Sequence, residues 1–200
     1  MSSSQLTPLF CKPPYTQEKN TIVYSNFADT LHGVIEFRSL NLRTDLEMIH
    51  QWVNMEYALA YWQMDGRFSQ LYSIYQCMEL NPFAHSFIGL FNGQIVCQFD
   101  LYSIVADELK NHVPVEPHDC GFHLLMGPHS SRTVHGLTKT IVHSFLSYYF
   151  SFPAARRMYA EPDVNNARSI CLLEKCGFDK RNTVDMSYKR AAIYCFDRPA

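Results

Sequence analysis

No stretch of this chain approaches the eighteen or so consecutive apolar residues that a membrane-spanning helix requires, so no membrane partner is expected. Charge of one sign is also missing. Lys and Arg number 17 against 19 Asp and Glu, a net charge of −2, which gives no broad electrostatic grip on nucleic acid. The amino terminus, Met-Ser-Ser-Ser-Gln-Leu-Thr-Pro-Leu-Phe, lacks a basic segment followed by a long apolar one, so export is not expected and a cytoplasmic location is. The seven cysteines form no C-x-x-C pair, and the nine histidines show no compact ligand spacing, so no metal site is expected. Most of the cysteines fall inside apolar stretches and read as reduced, small core hydrophobes. No internal repeat is visible.

What is present is material for one core. Two hundred residues, 47% hydrophobic and 18% charged, suit a single globular domain over 21–200, with 1–20 as a flexible or loosely packed arm. Segments 21–27 and 34–40 read as a hairpin. Thr44 or Asp45 then caps a helix with Leu46, Ile49, Trp52 and Val53 on one face, and a second helix covers 67–80. Asn92-Gly93 between 86–91 and 94–102 is the strongest hairpin signal in the chain. The polar stretch 104–117 reads as loop or short helix, and 119–127 as a nearly continuous apolar strand. A helix over 138–150 carries Ile141, Val142, Phe145, Leu146 and Tyr149 inward. A strand over 157–161 precedes a helix capped by Asn165 or Asn166 and stopped at Gly177. Two β-rich runs, 183–188 and 190–196, complete a mixed α/β order in which the central β-loop-α-β unit needs parallel pairing.

His123 is the histidine inside the apolar strand. Period two puts it on the face of Gly121 and Leu125, where it would line a cleft and accept a proton near neutrality. A satisfied interior histidine is the competing reading. Asp163 and Glu161 stand at the carboxyl end of the next strand, where α/β sheets form ligand crevices. An Asx-turn is the alternative for Asp163. The loop 127–136, with Arg132, offers backbone N–H groups and a cation to an anion. Trp52, Trp62, Tyr57 and Tyr61 form an aromatic group, read first as core and second as a substrate wall.

These motifs resemble the siderophore-biosynthesis branch of the GCN5-related N-acetyltransferases, over about 42–196. The carriers are Trp52-Val-Asn54 with Trp62, Asp100-Leu-Tyr102, Asp119-x-Gly-x-His-Leu-Leu-x-Gly-Pro128, Glu161-Pro-Asp163, Asn166 through Gly177-Phe178, and Lys189-Arg-Ala191. The resemblance implies an α/β fold, a mixed sheet splayed into a V and flanked by helices. It implies an acyl-CoA-dependent N-acyltransferase that acetylates an N-hydroxylated lysine or diamine by direct transfer. His123 and Asp163 are implied as the catalytic pair. Acetyl-CoA or another acyl-CoA would lie along Leu124, Leu125 and Met126, with Asn166 beside it and its pyrophosphate over Arg132, Val134, His135 and Gly136. Trp62, Asp100, Tyr102 and Glu161 would contact a small-molecule amine or hydroxylamine, and a homodimer is compatible with the family.

Three features depart from the pattern. Arg132-Thr-Val-His-Gly-Leu137 replaces the usual small residues of the pyrophosphate loop with His135 and Leu137. Leu173 stands where many members keep a tyrosine acid, and Asp100 is one methylene shorter than the family's glutamate. The alternatives are an acetyltransferase for another small amine or a lysine side chain, and a non-catalytic acyl-CoA- or partner-binding module of the same fold.

Overall fold

The computed structural model describes residues 8–14, 18–128 and 134–199. The strands are β1 (Ile22–Ala28), β2 (Gly33–Ser39), β3 (Ala84–Phe91), β4 (Gln94–Ser103), β5 (Cys120–Met126), β6 (Arg157–Ala160), β7 (Asp179–Asp185) and β8 (Arg190–Asp197). The helices are α1 (Leu46–Val53), α2 (Glu56–Leu59), α3 (Phe68–Leu80), α4 (Leu137–Phe150) and α5 (Ala167–Lys175). All eight strands join one sheet in the order β1-β2-β3-β4-β5-β6-β8-β7.

Every neighbour in that order is antiparallel except β5 and β6. Those two run parallel, joined by the α4 crossover that parallel strands require. Their register holds only at Cys120↔Met158 and Gly121↔Tyr159. Beyond Gly121, β5 continues to Met126 with β4 alone beside it, and the sheet opens into a V.

Apolar periodicity sets the layers. Ile141, Val142, Phe145, Leu146 and Tyr149 of α4 are buried, as the 3.6-residue spacing predicts, and Phe145 stacks on Phe99 of the sheet at 4.0 Å. On the opposite face Leu46, Ile49, Trp52 and Val53 of α1 pack with Leu71 and Tyr75 of α3 over Ile88 and Leu125. The ends of α5 follow the predicted chemistry. Asn166 Oδ1 accepts the Ser169 N–H at 3.1 Å. Gly177, at φ +86°, closes a Schellman stop in which Phe178 N–H donates to Leu173 and Gly177 N–H to Glu174.

Three expectations change. Asp45 does not cap α1 with its side chain. Its carboxylate takes the Arg38 guanidinium in a buried fork of 2.7 and 2.9 Å, and an ion that far from water is stable only when paired. Residues 8–14 are packed rather than loose. Leu9 and Cys11 are buried, Phe10 packs on Tyr149, and the Lys12 ammonium donates to the carbonyls of Glu79 in the last turn of α3 and of Asn81 and Ala84 just beyond it. The last hairpin begins earlier than predicted, because β7 is an edge strand exposed along nearly all its length and carries no apolar alternation to read.

Candidate active site

The V encloses a cleft of about 1110 Å³, lined by the second half of β5, the segment 160–163, the start of α5, residues 55–64 and the β7–β8 turn. Gly127 N–H donates to Val96 of β4 at 2.8 Å. Main-chain groups of alternate residues point to the same side, so those of Leu125 and His123 also face β4. The N–H and C=O groups of Leu124 and Met126 therefore face the gap. Two hydroxyls from the 55–64 segment span it. Tyr57 donates to the Met126 carbonyl at 2.8 Å on one arm, and Tyr61 to the Asn165 carbonyl at 3.2 Å on the other.

His123 stands where the strands part, with 41% of its side chain open to solvent. Its Nε2 lies 2.6 Å from Oε1 of Glu161, one residue past the end of β6. Glu161 is buried, and its other oxygen accepts the Tyr102 hydroxyl at 2.6 Å. Lys189 of the β7–β8 turn brings its ammonium to 3.5 Å from Oε1. Burial opposes the carboxylate charge, yet His123, Lys189 and the Tyr102 hydroxyl together hold the Glu161 pKa well below its ordinary value. Desolvation likewise opposes the imidazolium. The Glu161 carboxylate overcomes it, with Asp100 helping and Lys189 opposing, and the His123 pKa is raised. A carboxylate only accepts, so Nε2 carries the proton and Nδ1 is the nitrogen left for chemistry.

Behind His123, across the β4–β5 ladder, lies Asp100. It is buried, its Oδ1 accepts from Ser86 and Gln98, and burial pushes its pKa up to about 6 despite those bonds. Its Oδ2 makes no hydrogen bond among the described residues.

The residues singled out in the sequence separate here. His123, Leu124, Leu125, Met126, Trp62, Glu161, Asp163 and Asn166 all border the cleft. Trp62 meets the His123 ring edge-on at 6.1 Å. Asp163 is not on the imidazole. Its Oδ1 accepts the Asn165 N–H at 2.8 Å in an Asx-turn, where the chain makes a last antiparallel bridge to Ala191 of β8 and then bends into α5. The pairing expected between His123 and Asp163 thus falls to Glu161. Asp100 and Tyr102 sit behind the histidine rather than on the cleft wall. Val134, His135 and Gly136 form the approach to α4, where Gly136 takes φ +84° as N-cap. Arg132 lies outside the described residues. Tyr57 and Tyr61, read first as core, are about 40% exposed and bridge the arms, and Tyr188 adds a further exposed ring. Only their aromatic clustering signalled them, since the groups they bond lie 69 and 104 residues away. Among the described residues no group of three or more His, Cys, Asp or Glu could hold a metal ion, and no helix is long and apolar enough to cross a membrane.

Known proteins resemble this chain in sequence and in fold. Residues 41–186 match the family described as the acetyltransferase (GNAT) domain. A Schizosaccharomyces pombe protein, provisionally named a lysine N-acyltransferase, is 25% identical over 90% of this chain and 54% of its own length. The N(6)-hydroxylysine O-acetyltransferase of Escherichia coli is 24% identical over 94% of this chain and 58% of its own. The chain therefore spans a little over half the length of these relatives. Among solved structures, an uncharacterised protein from Bacillus halodurans superposes with a TM-score of 0.82 at 24% identity, covering 90% of this chain and 92% of that one. An aminoglycoside acetyltransferase in complex with coenzyme A gives 0.72 at 20% identity, covering 82% and 95%. At such identities the structural likeness speaks for the fold. The family match reaches from the strand-to-helix connection before α1 to the turn after β7, across both walls of the cleft and the His123 strand, and the chain belongs to the GNAT acetyltransferase family.

Proposed function

We propose that this chain transfers an acyl group from acyl-CoA to the side-chain nitrogen of lysine, N-hydroxylated lysine or a related diamine, the chemistry of the hydroxamate-siderophore acyltransferases its motifs resemble. The observation that carries the proposal is His123. It is half exposed and lines the cleft where β5 and β6 part, with Nε2 tied to a buried carboxylate, which leaves Nδ1 as the basic ring nitrogen.

The cleft suits an acyl-CoA. The N–H and C=O groups of Leu124 and Met126 offer a strand edge to the amides of an extended pantetheine arm. Bound acyl-CoA supplies the acyl group as a thioester, whose C–S bond breaks as the new C–N bond forms, and the departing sulfur takes up a proton. His123 Nδ1 takes the proton shed by the acceptor nitrogen, and Glu161 stabilises the imidazolium that results. A Leu124 or Met126 N–H donates to the negative charge that develops on the acyl oxygen. Asp163, at the mouth of the cleft, holds the cationic end of the acceptor. A hydroxylated nitrogen is less basic than an alkyl ammonium and arrives uncharged. A lysine ammonium must first lose a proton, a heavier demand on His123. Leu173 is buried and cannot protonate the thiolate, which leaves that step to solvent.

Calorimetric titration with acetyl-CoA and CoA, followed by a thiol-release assay on lysine, N6-hydroxylysine and hydroxylated diamines, tests this reading. Binding together with release that His123→Ala reduces by about 10³-fold is the expected result. Tight CoA binding with no release across the amine panel, or release indifferent to His123, overturns it. The first of those outcomes supports a non-catalytic acyl-CoA-binding module instead.

A further inference from the structure

We infer that Tyr102 is a positioning residue for His123, acting through Glu161, and that Gly121 is glycine so that the Tyr102 ring can reach that place. The inference rests on the reading of His123 as the base.

Tyr102 and Gly121 are direct partners across the β4–β5 ladder, as Asp100 and His123 are two residues further along on the same face. A Cβ on Gly121 would come within 2.3 Å of the Tyr102 ring carbon Cζ and of its hydroxyl. Real Cβ contacts are never that short, so any other residue here displaces the phenol. Gly121 itself is buried and needs no left-handed backbone, so the ring overhead is what calls for glycine. With the ring in place, its centroid is 5.1 Å from that of His123, and its hydroxyl ends 2.6 Å from Glu161 Oε2.

The consequence concerns rotation. Glu161 has two oxygens and two fixed donors, Tyr102 on Oε2 and His123 on Oε1. Lys189 stands 3.5 Å away as a competitor for Oε1. Without the hydroxyl, Oε2 becomes a buried acceptor with no partner, and the carboxylate gains by turning toward the ammonium. The imidazole then loses the bond that keeps the proton on Nε2. Among the described residues no other group bonds the ring. Asp100 acts on it through charge alone, with its Oδ1 taken by Ser86 and Gln98. Asp107 and Tyr188 contribute charge or bulk without a bond, and Trp62 makes a T-shaped ring contact.

The test reads the ring itself, before any acyl transfer. In uniformly 15N-labelled protein at a pH above the His123 titration, long-range 1H–15N correlation spectra report which nitrogen carries the proton. Wild type is expected to show Nε2–H almost exclusively. Tyr102→Phe is expected to show a mixture of tautomers, with kcat for the preferred amine reduced about tenfold and acyl-CoA affinity unchanged. Gly121→Ala is expected to match Tyr102→Phe. Should it fail to fold, Tyr102→Phe decides alone. A Tyr102→Phe spectrum that keeps pure Nε2–H overturns the inference, as does a wild-type ring protonated on Nδ1. Acyl transfer that persists in either of those cases leaves the proposed reaction standing. A tautomer shift in a protein that acylates no amine supports the positioning chain while removing the reaction.

Discussion

His123 sits between two buried carboxylates that face it from opposite strands and behave in opposite ways. On the β6 side Glu161 is held ionised, its pKa well below the ordinary range. On the β4 side Asp100 is pushed up to about 6. Both lose water, so burial is not the difference. Glu161 touches an imidazole that can be cationic, an ammonium and a phenol. Asp100 has neutral donors on one oxygen and, among the described residues, no hydrogen bond on the other, with the Tyr75 hydroxyl near it and the His123 charge acting only through space. A buried carboxylate holds its charge down to low pH where a counter-charge lies within bonding distance, and loses it at higher pH where only neutral dipoles do. One side of the histidine is thereby a fixed anion and the other a group poised near neutrality.

The largest effect expected from this contrast is on turnover. Glu161→Gln keeps the shape but presents an amide, whose NH2 can donate to Nε2 and force the proton onto Nδ1, the wrong tautomer for a base facing the cleft. Acyl transfer should fall by about 10³-fold or more, whereas Asp100→Asn should stay within about tenfold of wild type. Equal losses in steady-state kinetics would remove the distinction between the two sides. The pH profile sharpens it. The His123 pKa is raised and the base must be neutral, so the acid limb of kcat/KM should lie above the ordinary histidine range in wild type. It should move to lower pH in Glu161→Gln, because burial then acts on the ring without its counter-charge.

Stability should separate the two carboxylates with opposite slopes. Glu161 has a depressed pKa. Its contribution is present above the ordinary glutamate pKa and is lost as pH falls below it. Asp100 has a raised pKa, so the fold binds its proton more tightly than the unfolded chain does and pays for ionisation as pH rises. A rise from 3.8 to about 6 amounts to on the order of 3 kcal/mol, felt in full above pH 7 and absent below pH 4. Urea unfolding at pH 4 and 7.5 should show Asp100→Asn gaining on wild type at the higher pH. Glu161→Gln should lose ground there. A flat difference for Asp100→Asn would mean that it is already paired in solution.

Much of this was legible in the sequence. The α4 stripe, the Asn166 cap, the Gly177 stop and the Asn92-Gly93 turn rest on local chemistry, and period two brought His123 to the cleft. The choice of Glu161 over Asp163 was not legible. Both follow the same short strand, and which of them meets His123 depends on the two-residue register at which β5 and β6 stop pairing. A smaller effect follows from that miss. Asp163→Asn should raise KM for the amine several-fold and leave the acid limb in place, since its carboxylate caps a turn rather than the imidazole. A shift of that limb would return Asp163 to the histidine.

The smallest expected effect concerns the two tyrosines, whose partners lie so far along the chain that no local pattern could name them. Tyr57 occupies the Met126 carbonyl, one of the groups that the proposed pantetheine arm would use. Tyr61 ties the same segment to the opposite arm. Acyl-CoA must then displace the Tyr57 hydroxyl before it can pair with the end of β5. An exchange of one neutral hydrogen bond for another is worth about 1 kcal/mol. Tyr57→Phe should therefore tighten CoA binding by about fivefold, through a faster association rate, with the chemical step unchanged in single-turnover kinetics. Tyr61→Phe should do less, because the Asn165 carbonyl it bonds lies on the wall opposite the β5 edge. Weaker CoA binding in Tyr57→Phe would reverse the assignment: the hydroxyl would be a ligand of the bound coenzyme, and its bond to Met126 the position it holds while waiting.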